Sequence, residues 1–479
     1  MSTLKEKTAK GLLWGSIGQV GMQLISFAIG IYLARRLDLS DYGIVGMIAI
    51  FTALAGNLQD SGFSVALVNR KGEETRDLNA VFWFNIGMSL SLYALLFLCA
   101  PLIAAYFRQP CLIPLTRFVC IGFVFSGLGI VPGALLTKRL MVKQKTIITF
   151  AAMLISGGVG VALAYAGFRY WALAFQQVVY NFVTCVCRYY YSRWHPVSQW
   201  DFTPVREMLP FSIKVLIPTM LNTLNNNLLS FIIGRLYAPS QLGSYTQANK
   251  WNTMASSVVS GTLAQVAQPV LLEVGDKQER QVRVFRKMLR FTALLTFPCM
   301  FGLALVAREF ILLTITEKWI SSVPLLRLLC VGGAFLPFYT LYQNLFLSQG
   351  RSDVYVRFNV CQILLQLAAV LLCSLWGFTA MVAATSAVLV FWLLPWQWAA
   401  RRSIGLTFGQ ALRDTMPFMF IAAAVMLGVY FLTLPIHNLW LLLLVRILLA
   451  ALIYFVVLKC LHAEILEECL RALKKKKFD

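Results

Sequence analysis

The chain has 479 residues, of which 59% are hydrophobic and only 13% charged, whereas a soluble domain carries about 25% charged residues. This composition excludes an ordinary soluble domain and indicates a polytopic membrane protein. The net charge of +22 would suggest nucleic-acid binding in a soluble protein. In a membrane protein, basic loops that hold the helices against the cytoplasmic leaflet explain it better, so we expect no nucleic-acid partner.

The 11 cysteines contain no CxxC pair and no Cys/His cluster, which indicates buried apolar side chains rather than a disulfide framework or a metal site. We therefore expect no metal and no cofactor. The first apolar stretch, residues 11–34, is too long for a signal-peptide core and predicts a retained first span.

Apolar runs along the chain predict an all-α fold with about 14 transmembrane helices, because backbone groups in lipid must be hydrogen-bonded internally. Short turns are expected at 237–240, at Trp376-Gly377 and at 435–438. The predicted spans are 11–34, 42–68, 79–105, 112–137, 146–167, 170–188, 209–234, 240–270, 290–312, 322–348, two within 358–400, 415–434 and 439–460.

The connections between these spans are alternately rich and poor in lysine and arginine. If the N-terminus is inside, the inner segments hold roughly four times as many as the outer ones. Both termini are therefore expected in the cytoplasm. The outer connections are too short for an extracytoplasmic domain.

A short internal repeat links the ends of two predicted helices. Arg36-Leu37 followed by Ser40-Asp41-Tyr42-Gly43 matches Arg235-Leu236 followed by Ser240-Gln241-Leu242-Gly243. Each match opens a run of six spans. Two six-helix halves with substrate held between them are a recurrent transporter plan.

Predicted helices 7 and 8 (209–234 and 240–270) are unusually polar for membrane spans. If helix 8 enters the bilayer near Ser240, Lys250 lies roughly 15 Å deep, near the middle of a hydrocarbon core about 30 Å thick. A cation at that depth is costly unless it faces a wet cavity or a partner. We therefore expect this helix pair to form one wall of an internal cavity.

Several segments together resemble the oligosaccharide flippases of the polysaccharide transporter family, in the multidrug/oligosaccharidyl-lipid/polysaccharide exporter superfamily. These are Leu37 to Gly43, Asn57 to Phe63, Ala80 to Asn85 and the asparagine-rich helix 7. The O-antigen and colanic-acid exporters are the most similar type. The resemblance implies two six-helix lobes around a central cavity plus two C-terminal helices, and a substrate of undecaprenyl-pyrophosphate-linked oligosaccharide.

On this plan the chain divides into four parts. They are an N-terminal lobe (1–195), a C-terminal lobe (209–400), accessory helices 13 and 14 (413–461) and a basic cytoplasmic tail (462–479).

A cavity for such a substrate needs cations for the phosphates and amides for the sugar hydroxyls. Packing through interhelical hydrogen bonds is the alternative for the asparagines, and snorkelling to the interface is the alternative for Lys250. Lys214 and Arg327 lie close to helix ends, where snorkelling is the better explanation. The candidate substrate-binding residues are Lys250, Asn222, Asn225, Asn226, Gln19, Gln23, Gln247 and Arg446.

Asp60 is the one carboxylate that the sequence places well inside a span. A buried carboxylate tends to bind a proton or to pair with a cation, so Asp60 is a candidate for ion coupling. The alternative is a helix irregularity at 57–62 that leaves Asp60 in water or paired with a loop arginine.

The sequence thus predicts a transporter, not an enzyme, in the bacterial cytoplasmic (inner) membrane. It would move lipid-linked oligosaccharide by alternating access for surface polysaccharide synthesis, with polysaccharide polymerase or export proteins as expected partners. One alternative is a multidrug antiporter of the same superfamily, which would need more carboxylates for cationic drugs. Another is a membrane polysaccharide polymerase or ligase, which would need acid–base residues on a larger aqueous loop.

Overall fold

A computed structural model describes residues 4–70, 72, 74–198, 201–274, 278–461 and 463–468. Within these ranges all regular elements are helices, so the predicted all-α class is confirmed. The helices up to the middle of the chain are α1 (Leu4–Arg36), α2 (Leu39–Asp60), α3 (Phe63–Asn69), α4 (Thr75–Phe107), α5 (Leu112–Val119), α6 (Ile121–Leu128), α7 (Ile130–Lys138), α8 (Val142–Tyr165), α9 (Tyr170–Ser192) and α10 (Thr203–Leu236).

The helices that follow complete the described chain, with 3₁₀ turns at Glu317–Trp319 and Ser374–Trp376 and a helical stretch at 464–468. They are α11 (Pro239–Val274), α12 (Gln278–Ile315), α13 (Ser322–Gly333), α14 (Leu336–Ser348), α15 (Ser352–Cys373), α16 (Phe378–Phe391), α17 (Leu393–Ile404), α18 (Phe408–Leu432) and α19 (Leu439–Cys460).

Nine helical stretches among the described residues are long and apolar enough to cross a membrane. The pair Leu112–Leu128 and Ile130–Lys138, bent by 43°, raises the number to as many as ten. The long helices α1, α9, α10 and α11 carry more polar residues and do not meet the same criterion. The protein is therefore a multi-pass membrane protein, but the predicted count of 14 spans is not confirmed, although each predicted span coincides with helix.

The expected turns between helices are present where proline, glycine and asparagine predicted them. Helix α10 ends at Leu236 and α11 begins at Pro239. Gly377 separates α15 from α16 with a φ of 100°, in the left-handed region that favours glycine. The Asn438 side chain accepts hydrogen bonds from the amides of Trp440 and Leu441 and so caps α19.

Contacts between residues divide the chain into two compact units, Met1–Gly243 and Ser244–Asp479. In the first unit α8 packs against α1 and α9, and α10 packs against α2 and α4. An apolar core, including Phe63, Val81, Val131 and Met208, joins α3, α4, α7 and the start of α10. The lobe boundaries expected from the sequence, 1–195 and 209–400, place α10 in the second lobe and stay a prediction.

Within the 57–62 stretch, residues 57–60 still belong to α2, and Ser61 and Gly62 form a break before α3. Ser61 and Gly62 both have left-handed φ angles, of 47° and 74°. A Cβ on Gly62 would lie 2.7 Å from the carbonyl oxygen of Ser212 in α10. Glycine therefore allows both the backbone turn and the close approach of α10.

In the second unit α12 is the central helix, packed against α13, α18 and α19. The predicted accessory helices thus correspond to α18 and α19. Buried Asp414 of α18 accepts hydrogen bonds from Arg286 and Arg290 of α12, with N–O distances of 2.6–3.1 Å. The Tyr454 hydroxyl of α19 donates to the Leu294 carbonyl of α12 at 3.2 Å. These polar contacts fix the accessory helices to α12.

Candidate functional site

The asparagines of α10 lie on the first unit at different depths. Asn222 and Asn225 are half-buried, whereas Asn226 is exposed. The Asn225 side-chain oxygen is buried and accepts no hydrogen bond from the described residues. Next to them, Asn57 of α2 donates to the Thr223 hydroxyl at 2.5 Å. The face therefore combines one interhelical hydrogen bond, which suits a packing role, with one buried amide oxygen, that of Asn225, that has no donor among the described residues.

The glutamines predicted on α1 are only partly covered by the structure. Gln23 is half-buried on α1. The side chain of Gln19 lies outside those that the structure describes, so its predicted role stays a prediction.

Lys250 lies on α11 in the second unit and is half-buried. Its ammonium nitrogen is 5.6 Å from the centroid of the Trp251 ring, within the range of a cation–π contact. Trp251 in turn packs edge-on against Phe310 of α12, with ring centroids 5.2 Å apart. No described carboxylate lies within ion-pair distance of Lys250. The Trp251 ring thus stabilises the ammonium group of Lys250 without neutralising its charge. The ammonium group can therefore still bind an anion.

Gln247, one turn before Lys250, is fully buried. Neither its side-chain oxygen nor its nitrogen has a hydrogen-bond partner among the described residues. An unsatisfied buried amide costs about 1–3 kcal/mol, so it marks a place that a ligand or a bound water would stabilise.

Arg446 of α19 is 4% exposed and is held by three groups of the second unit. Its Nη1 atom is 2.9 Å from a carboxylate oxygen of Glu309, itself 3% exposed, and its Nε donates to the Thr433 hydroxyl at 3.0 Å. The Tyr430 ring centroid is 5.2 Å from the guanidinium carbon. Arg446 therefore forms a buried ion pair between α12 and α19.

A largely apolar groove of about 650 Å³ runs beside Arg446 in the second unit. Its walls come from α11, α12, α18 and α19. They include Leu294, Pro298, Met426, Arg446, Ala450 and Tyr454. The groove therefore has mostly apolar walls and one charged group, Arg446, which is paired with Glu309.

Asp60 lies near the break between α2 and α3 in the first unit. Its carboxylate accepts hydrogen bonds from the backbone amide and the hydroxyl of Ser64. It lines a cavity of about 570 Å³ together with Lys145 of α8 and Arg188 of α9. Asp60 thus faces a polar cavity whose other charged groups are cations, an environment that the sequence did not reveal.

Sequence reasoning missed several charged residues. Treating Asp60 as the one carboxylate deep in a span is too narrow, because Glu309 and Asp414 are also buried within helices. Arg188 and Lys145 lie at the ends of predicted spans and were not among the candidate residues, yet they line the Asp60 cavity. An arginine and a carboxylate in two otherwise apolar spans, as with Arg446 and Glu309, was a usable signal for an ion pair. Within the described part of the chain, no group of three or more His, Cys, Asp or Glu residues is placed to hold a metal.

The helical arrangement of this chain is similar to that of a solved lipid flippase. The fold matches that of the lipid II flippase MurJ in an inward closed conformation with a TM-score of 0.75, at 14% sequence identity and over 95% of this chain and 100% of that one. The chain therefore shares the fold of that protein.

The chain belongs to the polysaccharide biosynthesis protein family, whose model matches residues 32–324. The oligosaccharide flippase family expected from the sequence is thereby confirmed. The chain is 26% identical over 379 residues to the lipopolysaccharide biosynthesis protein WzxC of Escherichia coli K12, covering 77% of this chain and 76% of that protein. It is 24% identical over 335 residues to the succinoglycan biosynthesis transport protein ExoT of Rhizobium meliloti 1021, covering 70% of this chain and 68% of that protein.

Proposed function

We propose that the protein is a flippase that moves undecaprenyl-pyrophosphate-linked oligosaccharide across the membrane for surface polysaccharide synthesis. The observation that carries this proposal is Lys250, a half-buried cation on a polar helix of a chain with the MurJ fold, with no carboxylate of the described residues at ion-pair distance. A pyrophosphate headgroup supplies the charge that such a cation lacks.

The amide groups suit the sugar part of this substrate. Asn226 is exposed on α10, and Asn225 keeps a buried oxygen without a donor. Amides both donate and accept hydrogen bonds without carrying a charge, so they bind hydroxyls without strongly holding the sugar. With Asn222, Gln19, Gln23 and Gln247, these residues form the proposed sugar-binding set.

The lipid part of the substrate fits the groove beside Arg446. Its volume of about 650 Å³ and its apolar walls suit a prenyl segment. Burying each CH₂ group contributes about 0.8 kcal/mol. Because Arg446 is paired with Glu309, we assign it to the wall of this groove rather than to direct pyrophosphate binding.

The names of the curated relatives support this class of function. WzxC is named for lipopolysaccharide biosynthesis and ExoT for succinoglycan transport. We accordingly propose a role in translocation rather than catalysis, with the lipid-linked oligosaccharide as partner and polymerase or export proteins as neighbours. The basic connections favour a cytoplasmic-membrane location with both termini in the cytoplasm.

The transport cycle that we propose is alternating access between the two predicted lobes. Asp60 stays a candidate for ion coupling, with proton and sodium as the candidate ions. It shares its cavity with two cations, Lys145 and Arg188.

The test replaces Lys250 by alanine and measures surface polysaccharide in cells that contain normal amounts of the protein. We expect export to fall strongly with Lys250→Ala and to be retained in part with Lys250→Arg. Lys214→Ala is the matched control, because Lys214 is an exposed lysine on α10. Normal export with Lys250→Ala would refute the role of Lys250.

A further inference from the structure

The cavity beside Asp60 lies entirely within the first unit, and we call it the α2–α9 pocket. Its volume of about 570 Å³ falls within the roughly 300–1,000 Å³ typical of ligand sites. Helices α2, α3, α6, α7, α8 and α9 contribute its walls. Its polar lining includes Asp60, Ser64, Thr137, Lys145, Tyr180 and Arg188.

Arg188 is built into the wall of this pocket by two glycines. Its Nη1 donates to the carbonyl oxygen of Gly129 at 3.1 Å. A Cβ on Gly133, one turn further along, would lie 3.1 Å from the guanidinium carbon, and one on Gly129 would lie 3.4 Å from Nη1. The missing side chains let the guanidinium lie flat against α7, so it is held in place rather than extended into solvent.

Lys145 supplies a second cation to the same pocket. Its ammonium donates to the Thr137 hydroxyl at 2.9 Å. The Asp60 carboxylate is engaged by Ser64, and no ion pair joins Asp60 to Lys145 or Arg188 among the described residues. Two cations therefore face one carboxylate without direct neutralisation, and the pocket carries an excess of positive charge.

We propose that the α2–α9 pocket is an anion site that binds a phosphate or pyrophosphate group. Arg188 and Lys145 provide the charge-assisted hydrogen bonds, and the Tyr180 hydroxyl, which also lines the pocket, provides a further donor. The phosphate comes from a lipid headgroup or from a free phosphate compound. This site differs from the one at Lys250, which belongs to the second unit, and its test does not depend on transport.

Asp60 has a definite role in this proposal. Its negative charge opposes that of the ligand and so limits the affinity, which lets the phosphate leave. Removing that charge is therefore expected to tighten phosphate binding. A coupling-ion site at Asp60 predicts the reverse pattern, since loss of the carboxylate would abolish the binding of the cation.

The experiment uses the full-length protein in phosphatidylcholine nanodiscs, titrated calorimetrically with inorganic pyrophosphate. Lys145→Gln and Arg188→Gln should each weaken binding roughly tenfold to hundredfold, the loss expected for one hydrogen bond to a charged group. Asp60→Asn should strengthen it several-fold. Lys143→Gln is the matched control, because Lys143 lies on the same helix α8 but does not line the pocket.

A second set of nanodiscs containing phosphatidylglycerol separates the two sources of phosphate. If phosphatidylglycerol weakens pyrophosphate binding to the unmodified protein but not to Lys145→Gln, a lipid headgroup occupies the pocket. If phosphatidylglycerol leaves pyrophosphate binding unchanged, the ligand is a free phosphate compound. Because Arg188→Gln removes the hydrogen bond to Gly129, thermal unfolding is measured to check that this variant folds. Lys145 is exposed, so Lys145→Gln tests the pocket without that risk to folding.

The proposal is overturned if pyrophosphate does not bind, or if it binds Lys145→Gln as tightly as the unmodified protein. It is equally overturned if sodium binds instead and Asp60→Asn abolishes that binding. None of these measurements depends on polysaccharide export. A result against the anion site can therefore be distinguished from a result against the flippase function.

Discussion

Gly43 of α2 and Gly243 of α11 form a reciprocal contact between the first turns of their helices. A Cβ on Gly43 would lie 1.8 Å from the carbonyl oxygen of Pro239, and a Cβ on Gly243 would lie 1.8 Å from that of Leu39. Leu39 precedes Gly43 by one turn, just as Pro239 precedes Gly243. The contact therefore follows the register of the sequence repeat that joins these two segments.

Alanine at Gly43 or Gly243 should lower the thermal stability of the purified protein. The obstructing atoms belong to the backbone, so they cannot rotate away, and overpacking of this kind costs about 1–3 kcal/mol. Thermal unfolding in detergent measures the effect. Gly87→Ala is the control, because a Cβ there meets nothing within 4 Å; equal unfolding temperatures for all three variants would contradict the tight contact.

Breaking the Glu309–Arg446 pair should destabilise the second unit strongly. Removal of one partner leaves the other charge buried, at a cost of about 3–5 kcal/mol. The double variant Glu309→Gln/Arg446→Gln should regain much of the stability lost by either single change. A double-mutant cycle on the thermal unfolding of the protein measures this coupling.

The exposed Arg357–Asp353 pair on α15 provides the comparison for that cycle. Both side chains are more than half exposed, and such pairs contribute only about 0–1 kcal/mol. Arg357→Gln should therefore change the unfolding temperature little. If single changes at Glu309 or Arg446 are equally mild, the pair does not anchor α19.

Water should reach the position of Lys250 although it lies within the span predicted from the sequence. Lys250→Cys, made in a cysteine-free background, should react with a membrane-impermeant maleimide, because thiolates form and react in water. Leu364→Cys on α15 is the control. Leu364 is 59% exposed on an apolar helix, so we expect its cysteine to face lipid and to react slowly.

Equal labelling of the two cysteines would mean that exposure alone governs the reaction. Absence of labelling at Lys250→Cys, in both membrane orientations, would remove the water-accessible hollow on which the proposed headgroup site depends.

The helices and their turns followed from the sequence because both are local features. Long apolar runs must form helices in lipid, and Pro239, Gly377 and Asn438 lie at the turns that they predicted. The polarity of α10 and α11 was equally visible. This polarity identified the helix that carries Lys250. It is also the reason why α10 and α11 are less apolar than the helices that qualify as membrane spans.

The partners of the charged residues were not predictable in this way. Glu309 and Arg446 are far apart in the chain, and helical periodicity does not say which helix faces which. Arg188 ends a predicted span, and the structure places it against Gly129 and Gly133. Gly129 and Gly133, spaced by one helical turn, are the sequence feature that could have indicated this contact, because they leave room for a guanidinium group.

Translocation of a lipid-linked oligosaccharide by the purified protein tests the account most directly. Proteoliposomes would carry a fluorescent undecaprenyl-pyrophosphate-linked oligosaccharide, and its appearance in the opposite leaflet would be followed with and without proton or sodium gradients. We predict movement faster than in protein-free vesicles, lost with Lys250→Ala and kept with Lys214→Ala. Movement no faster than in protein-free vesicles under every gradient, or movement unaffected by Lys250→Ala, would contradict the account.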